Sequence, residues 1–84
     1  MAKISYVATC ADPEGGTLGT LLDIHFHNGQ VLLLSLKSKQ DDPDFLRLYR
    51  NGKLSFPETD GEGIYWRDGP RLSLSEVMEM ARET

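Results

Sequence analysis

Asn28-Gly29 lies between two strand-like runs, and no other feature limits the possible folds of this chain as tightly. Thr20-Leu-Leu-Asp-Ile-His-Phe-His27 precedes it, and Gln30-Val-Leu-Leu-Leu-Ser-Leu36 follows. Asn-Gly in this setting favours a two-residue type I′ turn, because both central residues then need positive φ. A two-residue loop sets the register. His27 faces Gln30, Phe26 faces Val31, His25 faces Leu32, Ile24 faces Leu33, Asp23 faces Leu34 and Leu22 faces Ser35. Directly opposed residues share a face. One face then carries Leu22, Ile24, Phe26, Val31 and Leu33 and reads as the core face. The other carries Asp23, His25 and His27 together with Leu32, Leu34 and Leu36. That second face is too apolar to stand in water, so a helix of this chain or another subunit must cover part of it.

The flanking segments read as short elements. Residues 3–9 form a strand with Ile4, Tyr6 and Ala8 on one side and Ser5, Val7 and Thr9 on the other. Asp12-Pro-Glu-Gly-Gly-Thr17 is a loop. Asp42-Pro43-Asp44 has the form of a helix start, with a capping Asp, Pro at the first position and an acid near the positive dipole end. Phe45, Leu46, Leu48 and Tyr49 form its stripe, and Asn51-Gly52 ends it. A second hairpin around Asn51-Gly52 is the alternative for residues 45–50. Lys53-Leu-Ser-Phe56 reads as a strand closed by Pro57, Thr59–Gly63 as a turn and Gly63–Arg67 as the next strand. Ser73 and Glu76 make a capping box for an amphipathic helix at about 74–82.

Length and charge restrict the function. At 84 residues the chain is a single domain, 1–84. Folding at this size buries roughly 60–65% of the unfolded surface, which supports one core and no second lobe. A dinucleotide fold and a two-lobed enzyme are excluded on size. The net charge of −4 and pI near 5.0 argue against nucleic acid and an anionic membrane as partners. The N-terminal run is alternating rather than apolar, so no signal peptide is expected. One cysteine makes no internal disulfide, which points to a reducing cytoplasm.

Several short motifs recur together in one known group. They are Phe26-His27-Asn28-Gly29 after a strand, the segment Phe45-Leu46-Arg47-Leu48, Ile64-Tyr65-Trp66-Arg67-Asp68-Gly69, and the closing Arg71-Leu72-Ser73 with a short helix. In these the chain resembles the small bacterial and phage proteins grouped as domain of unknown function 2442, over nearly its whole length. The resemblance implies an α+β fold with an antiparallel sheet and one or two small helices. It brings no reaction, cofactor or catalytic residue. It also implies an association with a second small protein, as in a toxin–antitoxin or regulatory pair. Arg71 stands where the group often has an acid, so a role for that acid does not carry over.

Candidate chemistry is sparse. His25 and His27 lie about 7 Å apart at their Cα atoms in a strand, near enough to share a metal ion with Asp23 or Cys10 as a further ligand. The competing reading is a solvated polar edge beside a turn. Cys10 lacks an assured base, and Ser73 and Ser75 are caps rather than nucleophiles. Gly15-Gly16 and Gly61-x-Gly63 lack phosphate-loop spacing. Arg47, Arg50, Lys53, Arg67 and Arg71 alternate with Tyr49, Tyr65 and Trp66, a composition used by protein interfaces and by single-strand binders. Net charge favours the protein interface.

The sequence therefore predicts an α+β domain. It has one antiparallel sheet of four or five strands, a short central helix and a C-terminal helix. No cofactor and no catalytic residue are expected. The favoured function is a non-enzymatic interaction or regulatory module. It would self-associate as a homodimer or bind another protein through Leu32, Leu34 and Leu36 and the Tyr65/Arg67 surface. An antitoxin-like component is the second reading, and a metal-binding protein using His25 and His27 the third. On the first reading, Leu34→Asp dissociates a complex and leaves the chain folded.

Overall fold

In a computed structural model, which describes residues 2–83, the chain alternates short strands with two helices. The strands are β1 (Ile4–Ala11), β2 (Thr20–Phe26), β3 (Val31–Ser35), β4 (Glu58–Thr59), β5 (Gly63–Tyr65) and β6 (Arg71–Ser73). The helices are α1 (Pro43–Arg50) and α2 (Leu74–Arg82), and a 3₁₀ turn covers Lys37–Lys39. The α+β class stands. The single sheet of four or five strands does not: two antiparallel sheets of three strands form, ordered β1-β2-β3 and β4-β5-β6. They meet where Ile4 N–H donates to the Gly61 carbonyl at 2.9 Å.

The β2–β3 hairpin closes one residue later than a two-residue loop allows. Phe26 N–H donates to Gln30 C=O at 2.9 Å, and Gly29 N–H donates to Phe26 C=O at 3.0 Å. Gly29 has φ +87°, whereas Asn28 is not left-handed. Gln30 N–H turns instead to the Asn28 side-chain oxygen at 3.0 Å. This is a three-residue loop, a turn followed by one left-handed glycine. The strands accordingly pair Leu22 with Leu34, Asp23 with Leu33, Ile24 with Leu32 and His25 with Val31.

A slip of one residue exchanges the two faces of a strand. The predicted second face is therefore overturned. Leu34 is 1% exposed and Leu36 0%, both in the core with Leu22 and Ile24. Leu32 is half-buried against that core. These three leucines are covered within the chain, beside Val77 and Met80 of α2, and do not form a free interface. Val31 and Leu33, expected inside, are 55% and 59% exposed.

β1 departs from simple alternation as well. Ile4 pairs with Phe26 and Tyr6 with His25, so Ser5 is an extra residue opposite β2. Its hydroxyl donates to His25 C=O at 3.2 Å. A bulge of this kind reverses the facing of everything beyond it. Val7 rather than Tyr6 joins Ile4 in the core, and Tyr6 is 56% exposed.

The helix ends follow local chemistry. The Asp42 side chain accepts from Asp44 N–H at 2.9 Å, with Pro43 at the first position. This settles residues 45–50 as helix. At the other end Gly52 has φ +70°, with Gly52 N–H to Tyr49 C=O at 3.2 Å and Lys53 N–H to Leu48 C=O at 2.9 Å. That pair of bonds is a Schellman closure. The predicted strand 53–56 is absent. Phe56 N–H donates to Lys53 C=O at 3.1 Å, which makes a turn, and strand pairing begins only after Pro57. α2 starts on the predicted capping box, with Ser73 Oγ accepting from Glu76 N–H at 3.1 Å and Glu76 Oε1 accepting from Ser73 N–H at 3.3 Å. It buries Val77 and Met80.

Ser73→Ala is expected to destabilise the fold by about 1 kcal/mol, read as a lower urea midpoint with an unchanged slope. Leu34→Asp places an unpaired carboxylate in the core. It should cost about 4 kcal/mol or more and abolish the cooperative transition in circular dichroism, rather than leave a folded monomer.

Candidate functional site

β1 is an edge strand, and the pattern of its hydrogen bonds shows which backbone groups are unpaired. Asp12 N–H donates to Gly19 C=O at 2.9 Å, continuing the ladder with β2. Paired and outward-facing residues alternate along an antiparallel strand. Counting back from Asp12, Cys10, Ala8 and Tyr6 bond to β2, while Ala11, Thr9 and Val7 direct N–H and C=O away from it. Among the described residues, no backbone bond outside the β1–β2 ladder involves Ser5–Ala11.

A groove of about 660 Å³ runs beside this edge. Tyr6–Thr9 form one wall, and Lys53 with Ser55–Glu58 the other. Trp66, Arg67 and Asp68 complete it. The far wall is held by one side chain: Trp66, 2% exposed, donates its indole N–H to Leu54 C=O at 3.0 Å. The Trp66 ring is packed edge-on against Phe45 of α1, with centroids 5.3 Å apart. Phe56, next to Pro57, is left 72% exposed on that wall. Arg67 lies 3.9 Å from Glu58 across the rim.

Arg67 lines the groove. Tyr65 is half-buried on the second sheet, opposite Glu58 and Arg71. On that sheet Arg71 Nη1 lies 3.0 Å from Asp60 Oδ2. The guanidinium's hydrogen bond, aided by Glu62 N–H, holds the Asp60 carboxyl below its ordinary range. A carboxyl depressed by folding stabilises the fold above its unfolded pKa. That contribution is lost as the pH falls through the lower folded value.

Neither histidine lines the groove. His25 Nε2 lies 3.1 Å from Asp23 Oδ1, and Tyr6 stands edge-on to the His25 ring at 5.5 Å. His27 is exposed and lies just past the end of β2, with its N–H bonded to Lys3 C=O at 2.9 Å. Among the described residues, no cluster of three or more His, Cys, Asp or Glu is placed to hold a metal ion. Cys10 is exposed and pairs with Leu21, not with a histidine. No helix among the described residues is long and apolar enough to cross a membrane.

Tyr6 and Phe56 were not among the residues singled out from the sequence. Ile4-Ser5-Tyr6 shows no signal of its bulge. Phe56 does carry one: a residue before proline is held extended, so its side chain depends on a partner element that residues 53–56 do not supply. Comparison with protein-family models, with curated proteins and with solved structures returns no match for this chain.

Trp66→Phe keeps the ring but leaves the Leu54 carbonyl without its donor. The expected loss is about 1–3 kcal/mol in urea unfolding. An unchanged midpoint would show that the indole bond does not hold the groove wall.

Proposed function

We propose that this chain is a non-enzymatic protein-interaction module of the reducing cytoplasm and that it receives its partner in the groove along β1. One observation carries the reading. Two large exposed aromatic residues, Tyr6 and Phe56, line one groove together with Arg67. Aromatic residues and arginine supply most of the binding energy at protein interfaces. Exposed apolar side chains grouped around a concavity mark an interaction site more often than scattered ones do. The groove takes the place of Leu32, Leu34 and Leu36, of which Leu34 and Leu36 are buried and Leu32 half-buried.

Selection of a random dodecapeptide library displayed on phage against the immobilised protein tests this reading. Enriched peptides should bind in calorimetric titration, and Phe56→Ser should weaken them at least tenfold. Because Phe56 is exposed, that change should leave the unfolding midpoint in place. No enrichment, or peptides indifferent to Phe56→Ser, would defeat the proposal.

A further inference from the structure

Resting on that reading, we infer that the groove takes its partner as an added β-strand, an extended uncharged peptide segment hydrogen-bonded to the outward backbone groups of Val7 and Thr9. The occupant's chemistry is set by the edge itself. An unpaired row of N–H and C=O groups is complementary to another extended backbone and to little else. The row has defined ends. Ile4 N–H is already satisfied by Gly61 C=O, and the bulge at Ser5 ends the regular edge at Tyr6. Beyond Ala11 the chain turns into the loop that begins at Asp12.

The edge also lacks two of the usual guards. Ser5–Ala11 contains no charged residue and no proline, the two side-chain devices that keep exposed edges from pairing. Charge is confined to the opposite wall and rim, where Lys53, Glu58, Arg67 and Asp68 balance to zero. Nothing in that arrangement recruits a strongly charged peptide. The lining also includes Tyr6, Ala8, Phe56 and Pro57, which suit a segment with apolar side chains. Tyr6–Thr9 span about 10 Å from first to last Cα, room for about four residues of strand.

A second copy of this chain is the competing occupant, and the wall argues against it. Residues 55–58 stand beside the same edge that would have to pair. Two copies joined through β1 would bring both walls into the space that one strand needs. A single extended segment meets only one wall.

The test uses a selected peptide and its versions carrying one N-methyl group at each backbone amide in turn. Strand addition predicts a period of two: methylation at alternate positions weakens binding at least tenfold, and the positions between change it little. In the complex, amide hydrogen exchange at Val7 and Thr9 should slow at least tenfold, while Ala8, already bonded to β2, stays as it was. Groove-dependent binding without that period or that protection overturns strand addition and leaves the interaction reading standing. Failure to select any peptide sensitive to Phe56→Ser overturns both. Protection of Val7 and Thr9 in the free protein, with a doubled mass in light scattering, assigns the edge to a second copy and overturns the peptide.

Discussion

The loop from Phe26 to Gln30 closes through Gly29 N–H to the Phe26 carbonyl, and the packing of the molecule follows from that closure. The bond admits three loop residues where Asn-Gly alone suggests two. Because side chains alternate with a period of two, the extra residue decides which leucines of β3 point inward. Leu34 and Leu36 then complete a core that already holds Leu22 and Ile24, and α2 adds Val77 and Met80 to it. With the other register, Val31 and Leu33 would face that core and three leucines would face water. The chain has too little remaining mass to cover both sides of a hairpin.

A second interaction shapes the surface in the same indirect way. Trp66 is buried against Phe45 and donates its indole N–H to Leu54, so β5 carries with it a stretch of chain that has no strand partner of its own. That stretch stands off from the edge of β1 and leaves Phe56 in solvent. The groove is thus a by-product of two small sheets joined at Ile4 and Gly61, with the stretch after α1 fixed by an aromatic anchor. Its lining comes from different parts of the sequence, Tyr6–Thr9 and Lys53–Glu58, which meet only in the folded chain.

Where a structural signal is carried by neighbours in the chain, it was readable. The caps of both helices, the glycine that ends α1 and the start of α2 depend on side chains bonding to backbone groups within three or four residues. The burial of Trp66 and the exposure of Arg67 match the alternation read along 63–67, although β5 itself ends at Tyr65 and Arg67 lies in the turn that follows. Three features were not readable. Val31-Leu32-Leu33-Leu34 is apolar at every position, so periodicity says nothing about which pair faces the core. The bulge at Ser5 has no residue signature. Lys53–Phe56 alternates like a strand, but no neighbouring edge is available to pair with it.

The amino-acid sequence alone determined the class of fold, a single small α+β unit, and the termini of its helices, because those rest on size and on short-range hydrogen bonds. Tertiary structure alone decided the register of the hairpin, the division of the strands into two sheets and the position of the groove. Each of those depends on which apolar faces can be buried at the same time, and that is a property of the whole core rather than of any one segment.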